Sequence, residues 1–175
     1  MKLKLTARII LIFLSGLCSL AYGDVHRQHG AHKHGSAKMG IAFESFKGQL
    51  TLQLASEAIF GFEYVPKKEA DKIKQREGLE KLERNMASMV AFASDLKCVF
   101  SKEKLEVDYH EGGKHSDIDA TFNIVCEKDP LGSTLTFNIQ KFFPKLADVD
   151  VQLLFADLQK SVEANATGFK VELKK

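Results

Sequence analysis

The sequence is poor in the signatures that mark enzymes. It contains no H-E-x-x-H, no G-x-S-x-G, no glycine-rich phosphate loop and no C-x-x-C. These absences set aside zincin-type proteases, α/β-hydrolases, nucleotide-binding folds and thioredoxin-like redox chemistry. There is no internal repeat. The longest apolar run near the start, residues 9–17, is short for crossing a bilayer, and polar sequence follows it at once. Cysteine is also scarce, at three in 175 residues.

The first 23 residues read as a secretory signal. Lys2, Lys4 and Arg8 form a basic start, residues 9–17 an apolar middle, and Ala21-Tyr22-Gly23 the small residues of a cleavage site. The competing readings are a membrane anchor and a lipid-attached Cys18. The apolar run is short for the first, and Leu17 is too large a neighbour for the second. Removing residues 1–23 leaves 22 basic against 23 acidic residues, so the formal charge of +2 becomes one net negative charge. The apparent basicity belongs to the signal, and no basic patch is left for nucleic acid. Nor is a membrane partner expected after cleavage. Export to an oxidising space makes the two surviving cysteines, Cys98 and Cys126, an expected disulfide, with two buried thiols as the alternative.

The mature chain is long enough for one domain. Residues 24–37 show no hydrophobic period and read as a flexible His-rich arm, with order beginning near Lys38. Ile41 and Phe43, then Leu50, Leu52 and Leu54, alternate with polar residues around Phe46-Lys47-Gly48, a β-hairpin signal. Pro66 is placed to open a helix. Glu69 and Asp71 follow in the turn that the helix dipole favours for acids. Ile73, Leu79, Leu82, Met86, Met89, Val90 and Ala93 fall mostly on one helical stripe, with Glu77–Lys81 and Glu80–Arg84 as exposed i,i+4 pairs. The two methionines read as core filler rather than ligands.

A second hairpin follows. Leu105, Val107 and Tyr109 alternate on one side, and Ile118, Ala120, Phe122, Ile124 and Cys126 on the other. Between them lies the polar tip His110-Glu111-Gly112-Gly113-Lys114-His115. Centred on Gly112, and with no bulge between Ser101 and Lys104, the hairpin places Cys98 opposite Cys126. A disulfide would then brace the base of a hairpin whose tip carries two histidines. Further strands are expected at Leu135–Phe137–Ile139, Val149–Val151–Leu153 and Phe169–Val171–Leu173, with a short helical turn at residues 140–146. The expected class is α+β: a single domain with a mostly antiparallel sheet, one long amphipathic helix and the arm, the domain running over residues 38–175.

All six histidines survive cleavage, and four are spaced H-x-x-H-x-x-H-x-H: His26, His29, His32 and His34. Imidazole suits Zn, Cu and Ni, and zinc takes three or four nitrogen, sulfur or carboxylate ligands. Gly30 and Gly35 permit the bends that would turn several rings inward. Arg27 and Lys33 oppose a dication, so the arm alone should bind moderately. The alternative is a solvated polar arm. His110 and His115, with Glu111 and Asp117, are the candidates for a second site or for completing the first; the alternative is a charged tip in water. Cleavage after Gly23 would also expose Asp24-Val25-His26, whose amine, amides and imidazole suit square-planar Cu(II) or Ni(II). An arm with no apolar walls lacks a substrate pocket and the ordered surroundings that metal catalysis needs. A non-enzyme is expected, with zinc or a divalent neighbour as its bound ion. A module that binds another envelope protein, with the His arm incidental, is the remaining alternative.

The string His26-Arg27-Gln28-His29-Gly30-Ala31-His32-Lys33-His34-Gly35 resembles the opening of the ZrgA-type periplasmic zinc-uptake proteins of Gram-negative bacteria. The resemblance continues through Gly61-Phe62-Glu63, Cys98 and Cys126, Phe143-Pro144 and Asp150-Val151-Gln152-Leu153. It implies a periplasmic role in zinc acquisition, with delivery towards the periplasmic component of a zinc importer. It also implies His26, His29, His32 and His34 as N-terminal ligands. Two departures stand out. The long His- and Asp-rich loop of many members is reduced here to the tip with His110 and His115. The histidine that tends to follow Gly-Phe-Glu is Tyr64 here, so any ligand role there is lost or passes to Glu63.

Overall fold

The structure, a computed structural model, describes residues 35–110 and 112–174. The signal, His26, His29, His32, His34 and Glu111 lie outside the described residues. In chain order the elements are β1 (Ser36–Glu44), β2 (Lys47–Ala55), α1 (Glu57–Phe60), α2 (Glu69–Met89), β3 (Val90–Phe92), β4 (Val99–His110), β5 (His115–Val125), β6 (Thr134–Phe137), α3 (Ile139–Phe142), β7 (Asp148–Phe155), β8 (Leu158–Glu163) and β9 (Phe169–Glu172). The class is α+β, as expected. Among the described residues no helix is long and apolar enough to cross a membrane.

Six strands form one sheet in the order β4-β5-β2-β1-β7-β8, and β3-β6-β9 form a second. All pairs are antiparallel except β1 with β7. Period-two patterning sets one face of the large sheet inward: Met39, Ile41, Leu50, Leu54, Ile118, Phe122, Val151 and Phe155 are all buried. Leu82, Met86 and Met89 of α2 join the same core. Burying side chains of this size stabilises by roughly 1.5–3 kcal/mol each. The opposite face carries Lys38, Gln49, Thr51, Asn123 and Gln152 and stays largely in solvent.

Several expectations shift in detail. β1 begins at Ser36, two residues before Lys38, and Ala37 is already buried. The first turn is Ser45-Phe46, with Glu44 paired to Lys47 and Ser45 at φ 55°. Gly48 is not in the turn; it lies within β2 beneath the Phe43 ring, where a Cβ would collide. Pro66 does not open α2. The first helical residue is Glu69, after Lys68 in an extended conformation. Residues 66–68 stay outside the helix, and just before them the Val65 amide donates to the Gly113 carbonyl at 3.2 Å. The helix ends at Met89 because Val90 and Phe92 pair with β6. Lys81 donates to the Phe142 carbonyl rather than pairing with Glu77, and Glu80 pairs with Arg76 rather than Arg84. The strands expected around Leu135 and Phe169 are β6 and β9 of the second sheet, except that Ile139 opens α3 instead of extending β6; β3 and β8 were not expected.

The disulfide Cys98–Cys126 is present. Its register differs from expectation in two ways that cancel. The tip pairs His110 with His115, which centres the hairpin between Gly112 and Gly113 rather than on Gly112. A bulge between Lys102 and Lys104 then adds one residue to β4, so that Val99 faces Val125 and Cys98 meets Cys126. Cys126 is buried, as its parity with Phe122 and Ile124 requires.

Candidate metal centre

The tip of the β4–β5 hairpin is not a bare polar loop. His110 accepts through its carbonyl from the Gly113 and Lys114 amides at 2.8 and 3.2 Å. Gly112 and Gly113 both take positive φ, 67° and 85°, which side-chain-bearing residues rarely adopt. A Cβ on Gly113 would also lie 2.8 Å from Val65 Cγ2. The glycine pair therefore both turns the chain and lets residues 61–65 pack against it.

That packing is pinned by two buried serines. Ser56, just past β2, and Ser116, in β5, are 0% and 1% exposed. Their hydroxyls are 2.5 Å apart. Ser56 Oγ donates to the Phe62 carbonyl at 2.9 Å, and Ser116 Oγ donates to the Glu63 carbonyl at 2.7 Å. The Ser56 amide also donates to the Ser116 carbonyl at 3.0 Å. Two hydroxyl protons serve three contacts here, so donation to a carbonyl and donation between the hydroxyls compete.

The held segment brings Glu63 to the tip. Its Oε2 lies 2.6 Å from His115 Nδ1, with the carboxylate side chain only 13% exposed. On β4, His110 Nε2 lies 3.4 Å from Asp117 Oδ2 and 3.8 Å from Asp108 Oδ2. Asp117 is buried. By register Asp108, His110, His115 and Asp117 share the face opposite the core. The structure therefore brings His110, His115 and Asp117 to one tip, as expected. It adds Asp108 beside His110, and Glu63 enters as the partner of His115. Among the described residues, no group of three or more His, Cys, Asp and Glu side chains has the arrangement of a metal site.

Tyr64 stacks on Phe62, with ring centroids 4.7 Å apart, and its hydroxyl donates to Asp71 at 3.2 Å. Desolvation first, then that hydrogen bond and the Asp71 charge, raise the phenol above its ordinary pKa. The Tyr64 hydroxyl is thus directed at α2. Ser56 and Ser116 carry no sequence signal: they are 60 residues apart and chemically ordinary until the fold joins them.

The model of the ZrgA family, described as zinc uptake proteins, matches residues 31–173. The chain belongs to this family. No curated protein matches it. The ZrgA match takes in His32, His34, the serine pair, Glu63, both cysteines and the whole tip, and begins after His26 and His29. Zinc uptake is therefore the setting in which the tip is to be understood.

Proposed function

We propose that this chain is a periplasmic zinc-binding accessory protein that supports zinc acquisition by passing zinc to a high-affinity importer. Its role is binding and delivery, not catalysis, and it acts after removal of residues 1–23. The observation that carries the reading is the tip itself: two histidines, each beside a carboxylate, at the end of the β4–β5 hairpin. Metal sites commonly use this arrangement, in which a carboxylate orients the imidazole that binds the ion.

The proposed ligands are the N-terminal histidines His26, His29, His32 and His34, together with His110, His115, Glu111 and Asp117 at the tip. Topology supports a part for His32 and His34 at the tip. β1 begins at the same end of the sheet: Ala37 pairs with Leu54, Leu54 with Ile118, and Ile118 with Val107. Ser36 is thus about 10 Å from β5 at two strand spacings.

The test is a zinc titration of the mature protein beside a deletion of residues 24–35 and an H110A/H115A double variant. The deletion is expected to remove most of the binding and the double variant to weaken it. Unchanged zinc affinity in both would overturn the assignment.

A further inference from the structure

We infer that Glu63 is not a zinc ligand but a positioning residue: held in place by the buried Ser56–Ser116 pair, it fixes the tautomer of His115 so that Nε2 faces the metal. This deepens the proposed zinc role and rests on it only for the last step.

The geometry is specific. Glu63 Oε2 is 2.6 Å from Nδ1 of His115, not from Nε2. A carboxylate is an acceptor, so this contact requires the proton on Nδ1. The neutral ring then carries its lone pair on Nε2. Imidazole in water prefers the opposite tautomer, with the proton on Nε2, so the Nδ1–H form has to be imposed. Glu63 can impose it because its backbone cannot drift: the Ser116 hydroxyl holds its carbonyl at 2.7 Å, and the Val65 amide holds the next turn of the segment to Gly113. Its side chain is 13% exposed while that of His115 is 57% exposed. The carboxylate is the buried partner of the pair, and the imidazole the exposed one.

Carboxylate partners of metal-binding histidines act in this way, fixing ring orientation and raising ligand basicity, and their loss commonly costs about 10- to 100-fold in metal affinity. Glu63 Oε2 is committed to Nδ1 of His115. As an orienting group it stays where it is.

The test reads the tautomer of His115 by ¹⁵N–¹H correlation in the metal-free mature protein above pH 7.5, and then follows the same resonances through a zinc titration. Wild type is expected to show Nδ1–H. E63Q, which keeps an acceptor oxygen, should show the same tautomer. E63A and S116A should revert towards Nε2–H and bind zinc about 10-fold or more weakly, with thermal melts confirming that both fold. Nε2–H in the metal-free wild type, or an unchanged tautomer in E63A, would overturn the inference. Nδ1–H with His115 resonances unmoved by zinc would leave the positioning role standing and instead refute the tip as a zinc site.

Discussion

Gly78 of α2 rests against Phe60 of α1, where a Cβ would stand 3.0 Å from the Phe60 Cβ and 3.2 Å from Ile59 Cγ2. From sequence, a glycine in the middle of a helix is a small cost. In the fold it is what allows the two helices to touch, and α1 leads directly into residues 61–65, which carry Glu63 to the hairpin tip.

Gly78→Ala should therefore destabilise, although alanine is the better helix former. The propensity gain is about 1 kcal/mol, and overpacking a filled contact costs roughly 1–3 kcal/mol. A net loss near 1 kcal/mol would lower the melting temperature by about 2–4 °C for a domain of this size. A thermal melt showing a higher transition would mean that α1 yields freely.

The Cys98→Ser/Cys126→Ser double variant should lose about 3–4 kcal/mol in the chain-entropy account, for cysteines separated by 28 positions. Urea denaturation of oxidised wild type and the double variant measures this. Zinc affinity should change little, because the bridge and the tip histidines lie at opposite ends of β4, about 40 Å apart along the strand. A large loss of affinity at unchanged folding would show that the brace is felt at the tip.

Zinc binding should weaken as pH falls below about 6, where protons compete with the metal for imidazole nitrogen. The sign follows from the ligand form: neutral imidazole binds and imidazolium does not, so acid raises the apparent Kd. Competition with a metal indicator at pH 7.5 and 5.5 checks it. Affinity that is equal at the two values would point to carboxylates as the main ligands.

Ser56→Ala and Ser116→Ala should each cost about 1–2 kcal/mol, since each leaves a buried carbonyl short of a donor. Their effects should not add. The hydroxyls touch each other and compete for three contacts, so the double variant should cost less than the sum of the singles. Strict additivity in denaturation midpoints would mean that the two hydroxyls work independently.

Much of the fold could be read from the chain because it depends on local period. The alternations at Ile41–Phe43, Leu50–Leu54, Leu105–Tyr109 and Ile118–Cys126 each announce a strand with one buried face, and the stripe through Leu82, Met86 and Met89 announces α2. The parallel pairing of β1 with β7 could not be read, because nothing local distinguishes a neighbour more than 100 residues away from the adjacent hairpin strand. The start of α2 at Glu69 rather than Pro66 is not legible either, because a proline suits an extended approach as well as a first helical turn.

The sequence alone determined the chemistry on offer: histidines in number, two cysteines that survive signal removal, and a polar Gly-Gly tip between amphipathic strands. Residue types and their spacing suffice for that. Tertiary structure decided which groups meet. Cys98 reaches Cys126 only because a bulge near Lys102 offsets the shift at the tip. Glu63 reaches His115 only because two serines, 60 residues apart, close over each other in the core. Such contacts depend on the path of the whole chain, since hydrogen bonds of this length leave a fraction of an ångström for error and no local pattern carries that precision.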